Sequence, residues 1–143
     1  MAERMIFVLF KITKRGENIK KIGISILIVC LYGFPFVYFS MHQDFANRSM
    51  LGYLIMIVAT SFLAFFANFF SNSISHIIGN LVSGIISYYF ISKMMGNEQW
   101  GGYFKPLTPY QIFMLVSFLN LIPQFLTMKL ANRYKKKDKD EFD

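Results

Sequence analysis

A chain of 143 residues has room for one domain, yet 55% of it is hydrophobic and 18% aromatic, against roughly 45–50% apolar residues in a soluble domain. The apolar residues fall into four long runs, more than a soluble fold of this size has interior to bury. The net charge of +7 does not point to nucleic acid, because six of the 15 basic residues precede residue 22 and six lie from Lys129 onward, with no arginine-rich or zinc-finger pattern between them.

Residues 1–21 come first and form a basic amphipathic segment. The apolar run 5–10 is too short to cross a bilayer and is followed by Lys11, Lys14, Arg15 and Gly16. The expected state is a short interfacial helix on the cytoplasmic leaflet. Lys14 and Arg15 would anchor it to anionic lipid headgroups, at about 1 kcal/mol per basic residue near the surface. A partner protein covering the same apolar face is the alternative.

Crossing about 30 Å of hydrocarbon takes about 20 apolar residues in a helix. Four segments meet that length: 22–40, 51–70, 74–91 and 112–130. The first is too long for a signal peptide and is followed by bulky residues instead of a cleavage site. Pro35 should kink it. Cys30, the single cysteine, lies inside it, so no intrachain disulfide forms. Ser71, Asn72 and Ser73 make a tight polar hairpin between the second and third spans, with Ser73 or Ser75 as cap. The fourth span opens on Thr108-Pro109-Tyr110-Gln111, a capping box with proline in the first helical position. Pro123 interrupts it. The fold class is therefore all-α: an integral membrane four-helix bundle over residues 22–130, preceded by the interfacial helix and followed by a charged tail, 131–143.

Twelve basic residues flank the first span's start and the fourth span's end, against Arg48, Lys93 and Lys105 on the other side. The positive-inside rule then puts both termini in the cytoplasm and residues 41–50 and 92–111 outside. The plasma membrane is the expected location.

No Asp or Glu lies within a span, and the one basic residue, Lys129, falls next to the cytoplasmic end of the fourth. Ion-driven transporters usually carry an intramembrane carboxylate, so this chain alone is not expected to be one. Uncharged polar residues do recur at helical spacing. They are Thr60, Ser61 and Asn68 on the second span, sharing one side with the small Ala64, and His76, Asn80, Ser83 (or the small Gly84) and Ser87 on the third. The fourth carries Ser117, Asn120, Gln124 and Thr127. Such stripes should face other helices, since lipid offers no hydrogen-bond partner. Gly79, Ser83 and Ser87 also form a small-xxx-small series that lets backbones approach. The favoured reading of Asn68, His76, Asn80, Ser83, Ser87, Asn120 and Gln124 is helix–helix packing; the sharper one is a polar path between helices.

In the outer loop, Trp100, Tyr103, Phe104 and Tyr110 surround three glycines. Trp100, Tyr103 and Tyr110 read as interface anchors of the aromatic belt, or else as a contact surface. Ser40, His42 and Asp44 have triad chemistry, but a short loop rarely holds all three in relay geometry. His42 and His76 are expected on opposite faces, about 30 Å apart, which rules out a shared metal. Gly101 and Gly102 match no phosphate loop. No cofactor, metal or catalytic residue is expected.

In layout alone the chain resembles small flippase-like proteins, accessory subunits and toxin-immunity proteins, and layout does not imply function. The leading expectation is a non-catalytic interaction protein whose partner is another membrane protein or a second copy of itself. A subunit of a small oligomeric transporter, such as a flippase for a lipid-linked substrate, is the alternative.

Overall fold

The computed structural model describes residues 1–70 and 73–142. They form six helices: α1 (Ala2–Tyr32), α2 (Phe36–Asn47), α3 (Leu51–Phe70), α4 (Ser73–Met94), α5 (Glu98–Tyr103) and α6 (Pro109–Phe142). Four stretches are long and apolar enough to cross a membrane: α1 with α2, then α3, α4 and α6. The chain is a multi-pass helical membrane protein.

The surface is apolar where it meets lipid. Ile26, Leu54, Ile78, Leu81, Phe118 and Ile122 are all exposed. The polar side chains Thr60, His76, Ser87, Asn120 and Gln124 are buried. This inversion follows from the solvent, because hydrocarbon accepts methyl groups but no hydrogen bonds. α3 packs most extensively on α6, α1 on α4, and α2 on α3 and α4.

The first span is broken instead of kinked. Proline has no N–H and disfavours a helical residue before it. α1 therefore ends at Tyr32 and α2 starts at Phe36, its first turn closed by Phe39 N–H donating to the Pro35 carbonyl at 2.9 Å. α2 then runs to Asn47, so most of the expected outer loop 41–50 is helical. Close packing holds it there: the Ser40 hydroxyl donates to the Gly52 carbonyl of α3 at 3.0 Å. A Cβ on Gly52 would lie 3.0 Å from the Ser40 Cα, so the absent side chain allows the approach. Arg48 ends α2 in the left-handed region (φ 50°), a common helix C-terminus.

The ends also differ from expectation. Gly16 does not separate an interfacial helix from the first span, because α1 is continuous from Ala2. Every residue up to Gly23 on it is exposed. α6 likewise passes through Pro123 and residue 130 to Phe142. Its start matches the sequence: Thr108 N–H donates to Gln111 Oε1 at 2.9 Å and Gln111 N–H to Thr108 Oγ1 at 3.3 Å. Ser73 begins α4 and Ser75 lies inside it, so neither is an N-cap. Ser71 and Asn72 of the expected hairpin lie outside the described residues.

Candidate functional site

Tyr32, the last residue of α1, is fully buried at the centre of the bundle. Its ring fits only because residue 79 is glycine; a Cβ there would lie 2.6 Å from the Tyr32 Cγ. Its phenolic oxygen lies 3.3 Å from the Thr60 carbonyl, 3.1 Å from His76 Nδ1 and 3.3 Å from Gln124 Oε1. One phenolic proton cannot serve three neighbours. The carbonyl and Gln124 Oε1 only accept, so the phenol donates to one of them at a time, and the role of His76 Nδ1, which Asn80 Nδ2 also meets at 3.2 Å, follows the ring's tautomer.

The amides extend this cluster across four helices. Asn80 Nδ2 donates to Gln124 Oε1 at 2.9 Å and to the His76 carbonyl at 3.0 Å. Gln124 Nε2 donates to the Asn120 carbonyl at 3.1 Å. The Thr60 hydroxyl lies 3.0 Å from Asn120 Oδ1. Asn68 is separate and nearer the end of α3, where its Nδ2 ties α6 through the Met128 carbonyl at 3.0 Å and Asn132 Oδ1 at 2.8 Å.

Ser83 and Ser87 face the break in the first span. The Ser83 hydroxyl donates to the Phe34 carbonyl at 2.9 Å, and Ser87 Oγ accepts from Tyr38 N–H at 3.4 Å. Both supply partners to backbone groups that a continuous helix would have satisfied.

Beside the polar core, α4 and α6 separate to leave a cleft of about 630 Å³. Its walls are apolar, including Ile77, Leu81 and Ile85 from α4 and Met114, Phe118 and Phe125 from α6. Thr60, His76, Asn80 and Asn120 put polar atoms at its floor, and Ser117 lines it as well. The buried Ser117 hydroxyl has no hydrogen-bond partner. A Cβ on Gly84, also on the cleft, would meet nothing within 4 Å.

The aromatic residues of the α4–α6 connection do not share one role. Trp100 faces inward, unlike the belt position expected of it. It is fully buried, with its ring centroid 5.2 Å from that of Phe45 and 5.1 Å from that of Phe104. α5 folds back over the bundle and carries it there, a placement that helical length alone does not encode. Tyr103 is partly exposed and donates to Asp44 Oδ1 at 2.9 Å. That bond holds its phenol above the usual tyrosine range, with burial and the Asp44 charge adding to it. Tyr110 packs against Tyr88, their ring centroids 5.3 Å apart. Lys14 and Arg15 are exposed on α1.

Ser40, His42 and Asp44 fall on a helix, not a loop. Ser40 is spent on the Phe36 and Gly52 carbonyls, Asp44 on Tyr53 and Tyr103, and His42 packs on Tyr38. Tyr32 was the member of the polar core that sequence reading missed. The available signal was its depth, since tyrosine favours the ends of spans and this one falls in mid-span.

No family model, curated protein or solved structure matches this chain. The fold and the polar core define a multi-pass helical membrane protein with an uncharged interior and a cleft that opens between two spans.

Proposed function

We propose that the protein is a non-catalytic interaction protein of the plasma membrane. It seats a transmembrane segment of another membrane protein against the open edge of α4 and α6. The cleft with the unpartnered Ser117 hydroxyl carries this reading. In hydrocarbon an apolar slot takes lipid chains or side chains. Only a side chain brings a hydrogen-bonding atom to this depth, and the Ser117 hydroxyl, shielded in the isolated chain, turns outward to meet it, because an unpaired polar group there is costly. An accessory subunit, or an immunity or exclusion factor, works through such a contact. The charge bias supports termini on the cytoplasmic side, where the basic residues next to the first span, Lys20 and Lys21, meet anionic lipid headgroups.

The test fills the cleft. Gly84→Leu has room for its side chain and removes no hydrogen bond. Pull-down of the full chain in mild detergent should recover a stoichiometric partner of different mass. Gly84→Leu should lose that partner at an unchanged melting temperature. Recovery of the chain alone, or an unaffected complex with Gly84→Leu, overturns the reading.

One observation favours the second reading, a transport subunit. Broken helices beside polar groups at mid-depth form the cargo sites of many transporters, and the first span breaks beside Tyr32. A homo-oligomer with no other protein in the same pull-down would support that reading instead.

A further inference from the structure

At the end of the bundle that carries both termini, α1, α3 and α6 enclose a second cavity of about 600 Å³. Lys21 of α1 and Lys135, Lys136 and Lys139 of α6 line it, with Phe69 of α3 and Asn132 forming part of the wall. No carboxylate is among the described lining residues. Asn132, Lys135, Lys136 and Lys139 follow the spacing of a single helix face. Asp138, Asp140 and Glu141 are on the same helix but do not line the cavity.

We infer that this cavity binds a phosphate-bearing anion of two or more negative charges, either a phospholipid headgroup or a soluble phosphate compound. Four lysines line one cavity with no counter-charge among its described lining residues. Burial first, then the charges of Lys21 and Lys139, hold the Lys135 ammonium below the ordinary lysine range, and an anion would relieve that repulsion. Each ammonium is a compact charge with three donors, suited to phosphate oxygens that accept from several directions. Phe69 gives the cavity an apolar edge where the spans end, at headgroup level. Basic pockets between transmembrane helices suit phosphate headgroups for these reasons.

Lys21 separates this site from diffuse attraction to a basic tail. A tail attracts anions whether or not a lysine stands on α1; the cavity requires both helices. The full-length protein should be purified in phospholipid-free detergent and titrated with inorganic pyrophosphate by calorimetry. Nanodiscs of phosphatidylcholine doped with phosphatidic acid supply the lipid arm, with retained lipid counted by native mass spectrometry. One-to-one binding of at least one probe is expected. Lys21→Gln and Lys139→Gln should each weaken it at least tenfold, while Lys20→Gln and Lys137→Gln, which remove the same charge outside the lining, change it less than twofold. Pyrophosphate binding assigns a soluble source, and phosphatidic acid binding alone assigns the headgroup. No saturable binding of either probe, an equal loss in all four variants, or full binding by Lys21→Gln overturns the site.

Discussion

An alanine at Gly79 would drive its methyl group into the Tyr32 ring, 2.6 Å from Cγ. The ring has nowhere to retreat. Tyr32 is fully buried, and its hydroxyl meets Thr60, His76 and Gln124. Overpacking of this kind costs about 1–3 kcal/mol. Displacing the phenol also loosens interhelical hydrogen bonds worth roughly 0.6 kcal/mol each. Alanine's helix propensity returns about 0.8–1.0 kcal/mol. The net expectation for Gly79→Ala is a loss of about 1–3 kcal/mol. Unfolding in mixed micelles, followed by circular dichroism against denaturing detergent, would measure it. Gly84→Ala, on the same helix but facing open space, should be neutral or stabilising. In a Tyr32→Ala background the penalty at Gly79 should vanish. If Gly79→Ala matches Gly84→Ala in the native background, the close approach of α1 and α4 is not what holds this pair together.

Replacing Asn80, Asn120 or Gln124 by Leu should lower stability in the same assay. Gln124→Leu should cost most, at roughly 1–2 kcal/mol, because it removes an acceptor for Tyr32 and Asn80 and a donor to Asn120; unchanged unfolding for all three would argue against a packing role. The folded state raises the Tyr103 phenol, so it holds that proton more tightly than the unfolded chain does. The resulting stability is present below about pH 10 and is lost as pH rises through the shifted value. Difference absorbance against Tyr103→Phe should show the phenol titrating lower in Asp44→Asn, and no movement would remove Asp44 as the cause. Single cysteines at Asn97 and Lys136, in a Cys30→Ala background, should label with an impermeant thiol reagent on intact cells at Asn97 only; the reverse pattern inverts the topology.

The four spans were legible because their signal is local: uncharged apolar runs of the right length, a capping box at Thr108 and a proline at 35. The polar stripes were legible as periodicity. What periodicity does not carry is which stripe meets which. Asn120 and Thr60 are paired across helices by packing, and only the bundle puts Gln124 beside Asn80. The burial of Trp100 was not legible, since composition places tryptophan at the interface and only the fold-back of α5 moves it inward. Nor was the reach of α2 to Asn47 legible. Residues 41–47 contain His, Gln and Asp, which read as a loop, yet Asp44 accepts from Tyr53 of α3 and Tyr103 of α5, and Gln43 pairs with Asn47 within the helix, which continues. The lysine cavity was invisible for the same reason, because Lys21 and Lys139 come to line one cavity only once the bundle brings the ends of α1, α3 and α6 together.

The break in the first span bears on both readings of function. A helix interrupted in hydrocarbon exposes backbone groups that must be satisfied. In a broken-helix transporter those groups stay available to the cargo. Here the protein uses several of them itself. The Phe34 carbonyl accepts from Ser83 and from Phe36 N–H, and Tyr38 N–H goes to Ser87. The series Gly79, Ser83 and Ser87 thus does two jobs along one face of α4. Glycine admits the Tyr32 ring, and the two serines complete the chain on either side of Pro35. With these groups taken, the unpartnered hydroxyl on the cleft belongs to Ser117, across on α6. That shifts the weight of recognition from the broken span to the gap between α4 and α6. A gap that opens sideways toward lipid is reached by a neighbour in the membrane more readily than by a solute from either aqueous face, which favours an interaction protein over a carrier.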